Sequence, residues 1–394
     1  MNRIKLICIG FAICISANAF SQKKGKKSAE YKFDDVVTTN VTSMKNQQAS
    51  GTCWCFSGLS FLEAELLRMG KGEHDLSEMF LVKKSYNVKA IDYVRYHGEM
   101  AFSQGGESAD VMDMIAKFGL MPEELFHGLN YGTTRHQHGE VEAVLKGIVD
   151  AVVLNKNRKL STAWQKAFDS VLDSYFGKDI KTFTYKGKEY TPISFRDELG
   201  INPADYVEIG SFSHHPFYTS CPFEVPDNWL HANIYNIPLD EFMTLMDTCL
   251  KNGYSLLWGS DVSEKGFKSR EGIALLPAKK DQEMSDSEIG KWEKLTKKQK
   301  ASGLFVKEQK VTQESRQKGF DNYQTQDDHG MHIIGISKDQ FGKKFYKVKN
   351  SWGEYGKYKG YFYASEAFVR SKTMTYMVHK DALSAELKTK LSIK

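Results

Sequence analysis

The strongest constraint on the fold is a change in the spacing of apolar residues near Lys181. Before it, apolar side chains recur at helical intervals over residues 53–68 and 106–120, and residues 142–178 also have a helical pattern. After it, short alternating segments are broken by Gly, Pro and Asn, which is typical of strands and loops. The sequence therefore predicts an α+β fold in which a helical part precedes a β-rich part.

Two strands stand out in the final third, HIIGISK and KFYKVKN, and the connection DQFGKK has the Gly and Asp content of a hairpin. Residues 36–41 are rich in Val and predict an extended stretch, whereas the polar residues 284–317 predict a solvated helical excursion. No repeat or clean linker is present. We expect one unit over residues 20–394, with a helical lobe at about 40–180, a β-rich lobe at about 181–394, and N-terminal segments crossing between them.

Residues 1–19 have the layout of a secretory signal peptide. Arg3 and Lys5 precede a short apolar run and the small-residue site Ala17-Asn18-Ala19. That run is too short to span a bilayer, and no other stretch of about 18 apolar residues occurs. We expect a secreted protein without a membrane span, for which a bacterial periplasm fits best. The net charge of +5 is small for 394 residues and gives little reason to expect nucleic acid as a partner.

Of the six cysteines, two lie in the predicted signal peptide. The mature chain keeps Cys53, Cys55, Cys221 and Cys249. Four cysteines in a chain of this length do not make a disulfide scaffold. The last two are candidates for one disulfide in an oxidising compartment, which the sequence leaves open because it does not place their Cα atoms within bridging distance.

Cys53 begins the first predicted helix, with Thr52 or Ser50 as N-cap. A thiol attacks a carbonyl as thiolate, and both a helix N-terminus and a nearby imidazolium favour the thiolate. His329, followed by Asn350 at the end of the next strand, can supply an imidazole and a partner that fixes its tautomer. These three residues predict nucleophilic catalysis.

The negative charge that develops on the attacked carbonyl oxygen needs donors, and Gln47 lies six residues before Cys53, where its amide can serve. In this order, QQASGTCWCFS, DDHGMHIIGI and KNSWGEYGKYKGYFY resemble the three catalytic blocks of the papain superfamily. The loop before Cys53 has no cysteine, and the interval to His329 is long. Together with the segment LLWGSDVSEKGF, these features resemble the bleomycin hydrolase and aminopeptidase C branch.

The resemblance implies a papain-like two-lobed fold, in which the helical lobe carries the Cys and the β-rich lobe carries the His and Asn. It assigns Gln47 as the oxyanion donor and Cys53 as the nucleophile. It assigns His329 as the general base and acid, and Asn350 as the residue that orients His329. The residues that it places along the substrate are Gly105, Gly106, Trp54 and Trp352. It implies peptide substrates, no metal or organic cofactor, and a homo-oligomer.

Two neighbours of these residues are expected to stay outside the chemistry. His332 is the rival base, but on an extended strand it faces away from His329, and Gly335 falls where the family has its glycine when His329 is aligned. Cys55 points roughly 200° away from Cys53 around the helix. We therefore expect Cys55 to be a small buried side chain.

Two histidine clusters, at residues 135–138 and 214–215, raise the question of a metal site. No acidic residue stands at a spacing that completes one, so both clusters are predicted to be surface loops. The tyrosines at 346–363 hint at a carbohydrate or nucleic-acid platform, but core strands explain them more simply.

The sequence as a whole predicts a secreted, thiol-dependent aminopeptidase of bleomycin hydrolase type. In that branch the C-terminal tail lies in the cleft, and the final HKDALSAELKTKLSIK is shorter than the family's tail. A cysteine endopeptidase or dipeptidase with an open cleft therefore remains an alternative. Two others are a catalytically silent binding protein with the same fold, and an amide hydrolase acting on non-peptide substrates.

Overall fold

The computed structural model describes residues 30–278 and 306–394. The predicted signal peptide and most of the polar stretch 284–317 lie outside these ranges. Within them, no helix is both long enough and apolar enough to cross a membrane.

The first half of the described chain is helical, as expected. Its helices are α1 (Cys53–Arg68), α2 (Glu78–Arg95), α3 (Ser108–Phe118), α4 (Gly139–Val153), α5 (Ala163–Phe176) and α6 (Pro192–Leu199). The helical pattern at 142–178 is two helices, because the intervening residues 155–162 are almost entirely polar and leave no apolar face to bury. Short 3₁₀ turns at Glu123–Leu125 and Pro203–Asp205 connect other segments.

The second half supplies most of the sheet. Its strands are β2 (Phe183–Tyr185), β3 (Lys188–Tyr190), β4 (Tyr206–Gly210), β5 (Thr219–Pro222), β6 (Asn233–Asn236), β7 (Leu256–Ser260), β8 (Phe267–Lys268), β9 (Ile273–Ala274), β10 (His329–Asp339), β11 (Lys344–Lys349), β12 (Tyr361–Ser365) and β13 (Thr373–His379). Among the described residues of this half, four helices accompany them: α7 (Leu239–Lys251), α8 (Gln313–Asp321), α9 (Glu366–Lys372) and α10 (Ala385–Lys390). Strand β1 (Phe33–Thr38) comes from the N-terminal side.

The main sheet runs in the order β5-β6-β4-β13-β7-β10-β11-β12-β9-β8, and β2 and β3 form a separate hairpin. Strand β10 is its longest member, and the predicted hairpin of β10 with β11 is confirmed. The first half of β10 pairs with β7, and its second half pairs with β1. The extended stretch expected near the N-terminus is therefore confirmed as an added strand.

Two large apolar clusters hold the fold together. One is formed mainly by α1 to α5, and the other by the sheet with α7, α9 and α10. Helix α1 lies between them, because nearly all of its side chains from Trp54 to Leu66 are buried. A helix that is apolar around most of its circumference packs on several sides. This central position brings the N-terminus of α1 against the start of β10.

The tyrosines near the C-terminus are core and near-core residues, as predicted. Tyr346 is fully buried in β11, and Tyr363 in β12 stacks on Phe33 of β1 with ring centroids 3.9 Å apart. Cys221 and Cys249 are free thiols in different apolar clusters. In this structure Cys221 and Cys249 therefore do not form a disulfide.

Gly335 sets how closely β1 approaches β10, since a methyl group there would overlap the carbonyl oxygen of Val37. We expect Gly335→Ala to lower the free energy of unfolding by about 1–3 kcal/mol, the usual cost of overpacking. Gly147 is the matched control because it is exposed in α4 and its added methyl would meet nothing within 4 Å. Gly147→Ala should instead stabilise by about 0.5–1 kcal/mol. Urea unfolding of both variants checks this, and equal stability of Gly335→Ala and wild type would contradict it.

Candidate active site

Cys53 is the first residue of α1, and Thr52 is the N-cap. The Thr52 side chain makes no capping bond, and its hydroxyl pairs with Ser50 Oγ at 2.7 Å instead. The backbone N–H groups of Cys55 and Phe56 donate to the Thr52 carbonyl. Among the described residues the N–H of Cys53 has no hydrogen-bond acceptor, and it lies at the positive end of the helix dipole.

His329 is the first residue of β10, and the glycine after it lets this strand touch α1. A Cβ atom on Gly330 would lie 2.8 Å from Ser57 Oγ and 3.2 Å from Trp54 Cα. Such contacts are too close for any side chain larger than hydrogen. The absence of a side chain at Gly330 thus brings His329 into the same cleft as Cys53.

The imidazole of His329 is held on two sides. Its Nε2–H donates to Asn350 Oδ1 at 2.8 Å, and that oxygen also accepts the Ser351 N–H at 2.8 Å. Trp352 stacks on the imidazole with ring centroids 4.7 Å apart and planes inclined by 29°. Because Nε2 carries the proton shared with Asn350, Nδ1 is left as the nitrogen with a free lone pair.

Gln47 is buried and fixed by four hydrogen bonds, one of which its backbone carbonyl accepts from Ser50 Oγ at 2.7 Å. Its Nε2 donates to the Ser50 carbonyl at 2.7 Å, its Oε1 accepts from Ser351 Oγ at 2.6 Å, and its backbone N–H donates to the Ser351 carbonyl at 2.8 Å. These bonds fix which end of the amide is the donor. The second hydrogen on Nε2 remains available to the cleft that Gln47 lines.

The Gly105–Gly106 loop is tied to the start of α1 by two contacts. The Trp54 indole N–H donates to the Gln104 carbonyl at 2.9 Å, and Gln104 Oε1 accepts the Gly51 N–H at 2.6 Å. A Cβ atom on Gly106 would lie 3.2 Å from the Trp54 ring. Trp54 is therefore a support for this loop, and Gln104 is a positioning residue that the sequence did not single out.

These residues enclose a cleft of about 390 Å³. Of the residues predicted from the sequence, those that line it are Gln47, Cys53, Trp54, Gly105, Gly106, His329 and Trp352. Asn350 is buried behind His329. The cleft also contains acidic side chains that no sequence pattern singled out, among them Glu107, Asp227 and Asp327. Asp327 is the first residue of the DDHGMHIIGI block and Glu107 directly follows Gly106, so both could have been noticed there, whereas Asp227 has no such signal.

Burial controls the protonation of the central pair. It raises the pKa of the Cys53 thiol to about 11, although the backbone N–H groups of Gly330 and Trp54 oppose the rise, and nearby Asp327 adds to it. Burial also lowers the pKa of His329 to about 4, against the opposing effect of its bond to Asn350. Burial thus disfavours the charged form of each of these two groups.

His332 and Cys55 lie away from the cleft. His332 is fully buried on the opposite side of β10, with Nδ1 at 3.0 Å from Ser60 Oγ and its ring edge-on to Phe61. Cys55 is also fully buried, and its thiol donates to the Glu78 carbonyl at 3.3 Å. Both side chains belong to the packing around α1.

The expectation that residues 135–138 form a surface loop is wrong for both histidines of this segment. His138 is fully buried, and His136 is nearly so. The rings of His136 and His138 meet edge-on, and His138 also meets Phe176 edge-on. Burial, with a smaller effect from His136, lowers the pKa of His138 to about 3, so it is a neutral core residue.

The second cluster is at the surface, as predicted, but an acidic residue does join it. Glu224 Oε2 lies 2.6 Å from His214 Nε2 and 3.2 Å from His215 Nε2. The Gln317 amide donates to His214 Nδ1 at 2.9 Å, and its orientation is set because Gln317 Oε1 accepts the Ser213 N–H. His214 therefore carries its proton on Nε2 and donates it to Glu224, rather than offering a lone pair to a metal ion.

Residues 385–394 pack on the β-rich side of the molecule. Leu387 and Leu391 are buried in the cluster that contains α7, and Lys390 lies 4.0 Å from Glu241 of that helix. None of these residues lines the cleft around Cys53.

Comparisons with known proteins agree with this geometry. A model of the Peptidase C1-like family matches residues 89–394. The chain is 23% identical to aminopeptidase C of Streptococcus thermophilus, over 94% of this chain and 88% of that protein. It is 22% identical to cysteine proteinase 1, mitochondrial, of Saccharomyces cerevisiae, over 91% of this chain and 79% of that protein.

A similar solved structure is that of PepW from Lactobacillus rhamnosis. It superposes with a TM-score of 0.65 at 20% identity, covering 91% of this chain and 84% of that one. The papain-like α+β fold expected from the sequence is confirmed.

Proposed function

Because the chain belongs to the Peptidase C1-like family and is a cysteine peptidase, we propose that it hydrolyses peptides as an aminopeptidase, through a thioester at Cys53. The resemblance to the bleomycin hydrolase and aminopeptidase C branch is confirmed by its relatives. The single observation that carries the proposal is the hydrogen bond from His329 Nε2 to Asn350 Oδ1 in the cleft of Cys53. In this arrangement Nε2 holds the imidazole in place through Asn350, and Nδ1 is the nitrogen that can accept the proton of Cys53.

The first half of the reaction forms the thioester. His329 Nδ1 takes the proton of the Cys53 thiol, and the sulfur attacks the carbonyl carbon. The oxyanion accepts hydrogen bonds from the Cys53 backbone N–H and the Gln47 amide. The His329 imidazolium then protonates the leaving amine, and the C–N bond breaks.

The second half returns the enzyme to its starting state. Neutral His329 accepts a proton from a water molecule, which attacks the thioester carbonyl. The same two donors stabilise the second oxyanion, and the Cys53 thiolate leaves and recovers its proton from His329. Asn350 orients the imidazole in both halves, and Trp352 covers that hydrogen bond.

Aminopeptidase activity is supported by the names of relatives that match nearly the whole chain. One observation favours the alternative of an endopeptidase or dipeptidase with an open cleft. Residues 385–394 pack against α7 rather than along the cleft. The two activities differ in whether the substrate needs a free N-terminus.

The deciding experiment compares one fluorogenic peptide that has a free N-terminus with its N-acetylated twin, using reduced protein and the Cys53→Ala variant as blank. Cleavage of the free form alone is the expected result and supports an aminopeptidase. Cleavage of both supports the endopeptidase alternative. Failure to cleave either, together with retained peptide binding, would replace the proposal with a binding protein.

Three further proposals concern the extent of the peptidase unit, its location and its assembly. We propose that residues 20–394 act as one peptidase unit with the two lobes given above. The signal-like residues 1–19 support export to a bacterial periplasm. The resemblance supports a homo-oligomer, which light scattering on the mature protein would test.

A further inference from the structure

A second cavity lies next to the cleft of Cys53. It has a volume of about 420 Å³, and Asp227 and Asp327 line both the cleft and this cavity. Its other lining residues come from the connection of β5 to β6, from α8 and the residues after it, and from β13. We refer to it as the side cavity, and its apolar lining residues are Val225, Pro226, Phe320, Tyr323 and Met374.

Three of these side chains make one wall of the side cavity apolar. Met374 is 1% exposed and belongs to a small apolar cluster. Val225 and Phe320 are half-buried and pack against the same cluster. Covering the exposed part of such side chains removes apolar surface from water, which favours an apolar occupant over a polar one.

Four carboxyl side chains also line the side cavity: Glu224, Asp227, Asp321 and Asp327. Three of them are engaged by neighbouring residues. Glu224 lies 2.6 Å from His214 Nε2, and Asp321 accepts a hydrogen bond from the Gln317 amide at 2.7 Å. The carboxyl groups of Asp327 and Glu107 are hydrogen-bonded to each other. These acidic groups disfavour an acidic occupant and leave the apolar wall as the surface that a ligand can cover.

Hydrogen bonds hold the walls in place. Asn228 Nδ2 donates to the carbonyls of Phe223 at 2.7 Å and Ala232 at 3.0 Å, which fixes the connection of β5 to β6. Arg316 of α8 donates to the Met374 carbonyl at 3.2 Å, which joins α8 to β13. A cavity with fixed walls binds a ligand without the entropic cost of ordering them.

Tyr323 lines the side cavity although it is 79% exposed, so it lies at the opening. It is the second residue after α8 and has a φ of +61°, in the left-handed region. Glycine is the usual residue at this position of a helix end, because a side chain is strained there. Gln326 holds the turn by donating to the Tyr323 carbonyl at 3.0 Å. Neither the helix end nor the core requires a tyrosine here, whereas a ligand in the side cavity gains contact with its ring.

The side cavity adjoins the part of the cleft that receives the acyl portion of a peptide. In the proposed reaction His329 protonates the leaving amine, so the leaving portion lies beside His329, which does not line the side cavity. Asp227 lies against Gly105, where the resemblance places the substrate backbone. Asp327 precedes His329 by two residues. That is a span of about 7 Å in an extended chain, so the side cavity is within reach of side chains before the scissile bond.

We propose that the side cavity binds an aromatic or large aliphatic side chain from the part of a peptide that precedes the scissile bond. This side chain packs on Val225, Phe320 and Met374, and the Tyr323 ring covers its outer edge. The inference rests on the proposed peptidase function for the identity of the ligand, and it adds which side chains the protein selects.

The test measures peptide binding to the full chain carrying Cys53→Ala, so that it does not depend on turnover. Three peptides of equal length carry a dye at the C-terminus and differ only at one central residue, which is Phe, Asn or Lys. Fluorescence anisotropy gives their dissociation constants. The Phe peptide should bind about tenfold more tightly than the Asn peptide, because one aromatic side chain is buried. Equal binding of the three, or tightest binding of the Lys peptide, would overturn the proposal.

Two variants in the same background locate the preference. Tyr323→Ala should reduce the advantage of the Phe peptide about threefold, and Val225→Asp should remove it by placing a charge in the apolar wall. Tyr96→Ala is the matched control and should keep the full preference, because Tyr96 is an exposed tyrosine that lines neither the cleft nor the side cavity. A preference that survives both Tyr323→Ala and Val225→Asp would refute the site. Thermal unfolding of each variant checks that it is folded.

The unsubstituted protein tests on which side of the scissile bond the side chain lies. Mass spectrometry of the products of the Phe peptide should show the Phe on the N-terminal side of the cleaved bond. A Phe found only on the C-terminal side would contradict the proposal.

The two proposals fail in different ways. Preferential binding of the Phe peptide without hydrolysis by the unsubstituted protein would contradict the peptidase proposal and leave the side cavity as a peptide-binding site. Hydrolysis with equal affinity for all three peptides would remove the side-chain site and leave the peptidase.

Discussion

Cys53→Ala is expected to abolish peptide hydrolysis while leaving the fold intact. The substitution removes the only atom that can form the thioester, and loss of a nucleophile typically costs about 10⁵-fold or more in kcat. Cys53 is the first residue of α1 and is partly exposed, so the smaller side chain leaves little cavity. The measurement is the hydrolysis of a fluorogenic peptide by equal amounts of reduced wild-type and variant protein.

Cys55→Ala is the matched control for this prediction. It removes an equal number of atoms from the same helix, and its thiol contacts the Glu78 carbonyl rather than the cleft. We expect kcat/KM to stay near that of wild type, with a loss in stability because Cys55 is fully buried. Activity that survives in Cys53→Ala and disappears in Cys55→Ala would refute the assignment of the nucleophile.

His329→Ala is expected to lower kcat by at least about 10⁴-fold, because proton transfer to and from sulfur then has no partner. The pKa of Cys53 is raised by burial to about 11, so little thiolate exists at neutral pH without an adjacent base. Single-turnover hydrolysis at pH 7 measures the loss. As pH rises toward 11, the variant should recover part of its rate, because the thiolate fraction then grows without His329.

Asn350→Ala provides the graded comparison. It removes the acceptor of the 2.8 Å bond to His329 but leaves the imidazole in place under Trp352. Misorientation of a retained base costs less than its absence, about 10²-fold in kcat. If Asn350→Ala were as inactive as His329→Ala, Asn350 would have a role beyond orienting the imidazole.

Local patterns in the sequence predicted several elements correctly. The spacing of apolar residues gave α1 over its full observed length, Cys53–Arg68. The hairpin of β10 and β11 followed from two alternating segments and a connection with the Gly and Asp content of a hairpin. Such elements depend on side chains close together in the chain, so a short window contains the information.

Other features depend on contacts between distant segments. The break within residues 142–178 could have been found from its polar composition, but the burial of His138 depends on Phe176 in another helix. Glu224 follows β5 and lies within hydrogen-bond distance of His214 and His215, which precede that strand. Spacing along the chain did not predict this partner, since the loop geometry decides it.

The identities of the proposed catalytic residues were evident from the sequence, because their chemistry requires particular side chains next to recognisable neighbours. Tertiary structure alone decided how these residues meet. Gly330 allows β10 to touch α1, Asn350 selects the tautomer of His329, and Asp227 enters the cleft from a segment without any motif. The physical reason is that reactivity resides in single side chains, whereas the charge and shape of a cleft arise from segments that only folding brings together.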